Sequence, residues 1–289
     1  MVQFGRISTA MVTPFDSKGH VDFAKTTQLV NHLINNGTDS LVVAGTTGES
    51  PTLSKEEKIA LFAHVVKVVD KRIPVIVGTG SNNTYATIEL TKKAAQLGVD
   101  GIMIVAPYYN KPSQEGLYQH FKAVAESTDL PIMVYNIPSR SVVSILPETI
   151  IRLSEVPNIV CVKEASGDLS AMTKIIANTP DDFHLYSGDD SMALPILSIG
   201  GVGVVSVSSH IIGNEMQEMV KTFLDGNHAK AAKLHQHLLP VMQGLFNAPS
   251  PAPVKTALQL MGLDVGSVRL PLVPLNERER AEVYELLKK

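Results

Sequence analysis

Ile159-Val160-Cys161-Val162-Lys163 is a run of four apolar residues closed by a lysine, with Glu164-Ala165-Ser166-Gly167-Asp168 behind it. Short β-branched runs of this kind recur at Ile7 to Val12, Ser40 to Ala44, Pro74 to Val77, Gly101 to Ala106, Pro131 to Tyr135, Phe183 to Tyr186 and Val202 to Val207. Continuous rather than alternating apolarity is the mark of strands buried on both faces, as in a parallel sheet. The segments between them carry helical periodicity, as at Phe23, Leu29, Val30, Leu33 and Ile34, or Ile59, Phe62, Ala63 and Val66. Eight βα units read as an α/β (β/α)8 TIM barrel, whose working end is the C-terminal end of the strands. Ser54 with Glu57 predicts a capping box, and Asn276 with Glu279 a weaker one. Gly37, Gly98 and Pro180 follow helices, while Pro74 and Pro131 open strands. From about Glu215 the pattern is wholly helical, with segments near 215–224, 228–246, 252–262 and 276–288. One helix closes the barrel, so residues 1–225 are expected to form the catalytic barrel and 226–289 a C-terminal helical extension packed on it. A doubly wound open sheet ranks well below, because Thr13-Pro14-Phe15-Asp16 after the first strand is not a GxGxxG turn.

The composition narrows the class. A chain of 289 residues, 44% hydrophobic and 18% charged, suits one large unit. A net charge of −3 leaves no basic surplus to draw it to nucleic acid or an anionic membrane. No segment approaches the roughly 18 apolar residues of a membrane helix. The opening Met1-Val2-Gln3-Phe4-Gly5-Arg6 lacks the zones of a signal peptide, and the single cysteine, Cys161, cannot form an internal disulfide. A cytoplasmic location is expected.

Lys163 is the residue that announces chemistry. An amine buried in apolar surroundings loses its charged form and can attack a carbonyl as a neutral nucleophile, forming a Schiff base. The ordinary alternative is a strand-end lysine with its charge in water or paired to Glu164. Alternation along a barrel strand sets Cys161 and Ile159 on the inward face with Lys163, and Val160 and Val162 toward the helices. By the same rule Tyr135 shares a face with Met133, and Thr46 with Ala44 and Val42. Tyr135 and Thr46 then make a credible proton relay beside the lysine, against the plain readings of a core tyrosine and a turn residue. Gly45-Thr46-Thr47-Gly48-Glu49-Ser50 is a polar, Gly-flanked turn suited to offering backbone N–H groups to a carboxylate, a signal that many β-to-α loops share. Arg140, stiffened by Pro138, could hold a second carboxylate bidentately or stand solvated.

Other features count for less. Gly78-Thr79-Gly80 reads as a tight loop only. His235 and His237 cannot share a helix face, and no His/Cys/Asp cluster has metal spacing, so a zinc-dependent aldolase is not expected. Asp189 and Asp190 read as helix N-caps, and would repel a substrate phosphate. Cys161 is a small buried filler, and Lys111 is solvated.

Several segments are together similar to one known family. GTTGES at 45–50, PYYNKPSQEGLYQHF at 107–121, YNIPSR at 135–140, KEASGD at 163–168 and SGDD at 187–190 resemble the dihydrodipicolinate synthases, also called 4-hydroxy-tetrahydrodipicolinate synthases, in order and across nearly the whole chain. The resemblance implies a lyase that condenses pyruvate with L-aspartate 4-semialdehyde, at the entry to diaminopimelate and lysine biosynthesis, without metal or organic cofactor. It implies that Lys163 forms the imine, that Tyr135 donates and accepts the proton, and that Thr46 bridges Tyr135 to Tyr109, which reaches into a neighbouring subunit's site. The backbone of Thr46 and Thr47 would hold the pyruvate carboxylate, Arg140 that of the semialdehyde, and Gly188 and Val205 would offer backbone groups near the lysine. A homotetramer built as a dimer of tight dimers is implied as well. One departure concerns regulation. Where lysine-inhibited members carry histidines and a glutamate, this chain has Lys55, Lys58 and Ala86, although Asn82, Tyr108 and Ser50 remain, so insensitivity to lysine is expected. The competing readings are N-acetylneuraminate lyase or a 2-keto-3-deoxy sugar-acid aldolase, whose polyol substrates would not call for Arg140, and a catalytically inactive binding barrel.

Overall fold

The structure, a computed structural model, describes residues 4–288; Met1, Val2 and Gln3 of the opening stretch and the last residue of the extension lie outside the described residues. Strands β1 (Ile7–Ala10), β2 (Ser40–Val43), β3 (Val75–Gly78), β4 (Gly101–Val105), β5 (Ile132–Asn136), β6 (Ile159–Glu164), β7 (His184–Ser187) and β8 (Gly203–Ser206) pair in order, all parallel, and β8 returns to β1. The expected closed eight-stranded barrel is therefore present and the open sheet is excluded. The strand bounds differ from the expected ones by one or two residues. Pro74 and Pro131 precede their strands, because they have no N–H for the ladder; their carbonyls still accept from Leu41 N and Ile102 N, at 3.0 and 2.9 Å.

The crossovers are α1 (Phe23–Asn35), α2 (Lys55–Val69), α3 (Thr84–Ala95), α4 (Gln114–Ala125), the short pair α5 (Pro138–Ser141) and α6 (Pro147–Leu153), α7 (Leu169–Ala177) and α8 (Ala193–Ser198). After β8 come α9 (Ser209–Leu224), α10 (His228–Gly244), α11 (Ala252–Leu260) and α12 (Glu277–Leu286). Both capping boxes form, and the one at Asn276 is as complete as that at Ser54. Leu238 and Met242 of α10 bury against Met216, Met219 and Val220 of α9, which ties the C-terminal helices to the barrel wall. Among the described residues no helix is long and apolar enough to cross a membrane.

α9 begins at Ser209, six residues before the expected start at 215, and bends at Ile212 (φ −128°). The missing signal lies on another element. The Asp190 carboxylate accepts from Val207 N, Ser208 N and Ser208 Oγ at 3.1, 2.9 and 2.8 Å, satisfying amides at the helix start that no local side chain caps. Asp190 is thus not the N-cap it was expected to be. Asp189 does cap, accepting from Ser191 N at 2.8 Å over the 3₁₀ turn 190–192.

Inward alternation holds where the ladder is regular and fails at two places. Val42, Met103, Met133, Tyr135, Cys161, Tyr186 and Val205 pack together inside the barrel. Ile159 instead joins the outer core between strands and helices, and Val160 packs on the interior cluster, the reverse of the expectation. The cause is a register shift: Ile132 pairs with Ile159 but Met133 with Cys161, which leaves Val160 as an extra residue. Ala44 likewise packs with the outer core rather than sharing the face of Val42. It lies past the end of β2 with φ 51°, where strand alternation no longer applies.

Candidate active site

Tyr135 and Lys163 are directly paired across β5 and β6, and Tyr186 flanks Lys163 from β7. This register sets the lysine against the tyrosine. Nζ lies 4.1 Å from the centre of the Tyr135 ring, and the residue is only 5% exposed. Burial disfavours the ammonium and brings Lys163 down to about 7; Asp190 opposes the shift, and the Arg140 guanidinium adds to it. The alternative of a solvated amine is excluded by this burial. Pairing with Glu164 is not seen either, since that carboxylate accepts from Asn136 Nδ2 and Ser166 N, at 2.9 and 2.8 Å.

Burial pushes the Tyr135 phenol up to about 12, with Thr46 and Arg140 working against the rise. It therefore holds its proton at neutral pH and is able to donate it. Gly188 sits where a Cβ would meet Lys163 Cε at 3.2 Å and Ala165 Cβ at 2.6 Å, so no larger residue fits beside the amine. Gly188 N donates to Glu164 O at 2.7 Å. Val205 is buried in the interior cluster with Cys161 and Tyr135. Cys161 is buried as expected, its thiol raised well above the usual range by desolvation.

Above this pair opens a cavity of about 300 Å³. Thr46, Tyr135 and Arg140 line it, with Gly45, Ser50, Lys58, Ser81 and Tyr108 around them. Lys163, Thr47, Gly188 and Val205 are not on its wall. Arg140 reaches the rim because Pro138 starts α5 directly after β5. Gly78 and Gly80 form the expected tight loop, since a Cβ would meet Ala44 O at 2.4 Å in one case and Val105 N at 2.6 Å in the other. Tyr109 is 88% exposed at φ 73° and does not reach the cavity of its own chain. Lys111 is exposed. Among the described residues no group of three His, Cys, Asp or Glu is placed to hold a metal ion.

Sequence reading assigned no role to Glu49. Its side chain is fully buried with Oε1 2.7 Å from the equally buried Nζ of Lys255, on α11, and Oε2 accepts from Arg269 N at 2.8 Å. Burial brings Lys255 down to about 8, opposed by Glu49. The signal for Lys255 was the one that exposed Lys163: a lysine inside an apolar run, here Ala252-Pro253-Val254-Lys255.

The chain matches the pattern described as the Dihydrodipicolinate synthetase family over residues 3–289. It is 67% identical to the 4-hydroxy-tetrahydrodipicolinate synthase of Bacillus velezensis over 283 residues, covering 98% of each chain. A crystal structure of a dihydrodipicolinate synthase from Bacillus anthracis superposes with a TM-score of 0.98 at 64% identity, covering 100% of this chain and 99% of that one. One from Cyanidioschyzon merolae, described with lysine bound, gives 0.98 at 46% identity over 100% of this chain and 98% of that one. A closed barrel with a buried lysine against a tyrosine, and these likenesses over its full length, place the chain in the dihydrodipicolinate synthetase family.

Proposed function

We propose that the chain condenses pyruvate with L-aspartate 4-semialdehyde to give 4-hydroxy-tetrahydrodipicolinate, through an imine on Lys163. The observation that carries this reading is the buried Nζ of Lys163 packed 4.1 Å from the ring of Tyr135, which lines one cavity together with Arg140. The Lys163 amine attacks the pyruvate carbonyl, Tyr135 moves protons as the carbinolamine loses water, and the protonated imine draws electrons from the adjacent methyl. That methyl releases a proton, and the enamine carbon bonds to the aldehyde carbon. Attack of the semialdehyde's own amine on the imine carbon then closes the ring and frees Lys163. Thr46 and Thr47 hold the keto-acid carboxylate through backbone N–H groups, Gly188 and Val205 bound the lysine's surroundings, and Arg140 binds the carboxylate of the second substrate. A guanidinium at that rim favours a dicarboxylate pathway over the polyol substrates of the sugar-acid aldolases. The exposure of Tyr109 supports its completing a neighbouring subunit's relay in a dimer, within a dimer of dimers.

Borohydride reduction in the presence of pyruvate, followed by peptide mass spectrometry, tests the chemistry. An adduct on the Lys163 peptide is expected, and its absence, or its appearance on another lysine, overturns the reading. Only the neutral amine attacks, so at fixed pyruvate the initial trapping rate should rise about tenfold per pH unit below pH 7 and level off above it. A profile flat from pH 5 to 9 would contradict a lysine near 7.

We also propose that the enzyme is insensitive to lysine. Lys58 lines the cavity beside Ser50, Ser81 and Tyr108, half-buried and with its own ammonium disfavoured by desolvation, while Ala86 offers no carboxylate. A second ammonium would meet repulsion there. Steady-state rates should be unchanged by sub-millimolar lysine, and half-inhibition in that range refutes the proposal.

A further inference from the structure

The GTTGES turn is held from the far end of the chain. Glu49 adopts φ 55°, a left-handed conformation that a glutamate takes only under constraint. Its N–H donates to Thr46 O at 3.0 Å, and its carbonyl accepts from Thr52 N and Thr52 Oγ1, at 2.9 and 3.0 Å, so its geometry sets that of Thr46 and Thr47. The carboxylate is clamped by Lys255 Nζ on one oxygen and Arg269 N on the other. Lys255 Nζ also donates to Ser267 O at 2.8 Å. Arg269 reaches on, donating to Gly19 O and Thr52 O, each at 2.7 Å, and pairing with Glu57 at the start of α2. Phe15 packs against both cations, with Lys255 Nζ 4.2 Å and Arg269 Cζ 4.3 Å from its ring centre.

A fully buried ion pair is a poor source of stability, since desolvating both charges offsets most of their attraction. What it supplies is a single geometry, because any other placement of Glu49 strands a carboxylate in the core. We infer that Glu49, Lys255 and Arg269 are positioning residues that fix the carboxylate-binding amides of Thr46 and Thr47, making capture of the keto acid depend on the C-terminal helical segment. This rests on the reading of Lys163 as the imine-forming residue. The role is confined to the first substrate, as Arg140 stands on α5 and shares none of these contacts.

The test is the pyruvate dependence of borohydride trapping in wild type, Arg269→Gln, Lys255→Met and the double variant Glu49→Gln/Lys255→Met, in which neither charge is left bare. Half-saturating pyruvate should rise about 10- to 100-fold in each folded variant, the scale on which small misplacements cost binding and rate. The KM for the semialdehyde should stay within about twofold of wild type, a split that general loosening of the fold would not give. If Lys255→Met does not fold, Arg269→Gln and the double variant decide. Wild-type half-saturation in these variants, or equal rises in both KM values, overturns the inference while the imine reading stands. No adduct on wild-type Lys163 removes the imine reading itself, and the inference with it.

Discussion

Lys163→Met should reduce turnover by roughly 10⁴-fold or more, a large part of the acceleration enzymes typically provide, while leaving the barrel at least as stable as wild type. The two effects have opposite signs for one reason. The amine sits in the barrel interior because the reaction needs it there uncharged, and the fold gains nothing from it. A methionine fills similar volume without a polar atom to desolvate. The pH dependence of the difference follows from the direction of the shift. With a folded pKa near 7 against 10.5 unfolded, the unfolded chain holds the proton more tightly, so wild type is increasingly destabilised as pH falls from 10.5 to 7. Below 7 both states are protonated and the penalty is constant. The methionine variant should therefore show its greatest thermal advantage at and below neutral pH, read by calorimetry alongside loss of the trapped adduct. A variant that keeps full turnover, or one that unfolds more readily than wild type, contradicts this account of why the lysine is buried.

Tyr135→Phe comes second in expected size. It keeps the ring under the Lys163 ammonium or amine and removes only the hydroxyl, so packing is preserved. Turnover should fall by about 10²- to 10⁴-fold, the usual contribution of one general acid–base group. Adduct formation with pyruvate should be slower but still reach completion, because the amine remains. Stopped trapping time courses beside steady-state rates separate these outcomes. An unchanged kcat would remove the tyrosine from the relay.

The eight strands were legible because a parallel barrel buries both faces of each strand, leaving runs such as Ile159 to Val162 that no surface element would tolerate. Lys163 was legible by contrast with that run. Thr46, Tyr135 and Arg140 could be placed near it because each stands at or just past the end of a strand, and a closed barrel gathers those ends at one mouth. The limits of such reading are equally physical. Alternation was misassigned at Ile159 and Val160, where one extra residue shifts the register, and at Ala44, where the backbone turns left-handed immediately after β2. The start of α9 was missed because the turn leading into it is held partly from the preceding βα loop, where Asp190 accepts from Val207 N and Ser208 N, while Ser206 Oγ accepts from Ser209 N.

Local pattern by itself determined the order of elements, the barrel they must close, and the one amine whose burial has a chemical purpose, because each of these depends on neighbours within a few residues. The tertiary structure alone decided that Glu49 and Arg269, 220 positions apart, share a buried contact with Lys255 behind the substrate turn. Partners so distant leave no periodic trace, since nothing in the run of residues records which charges the closed barrel will bring together.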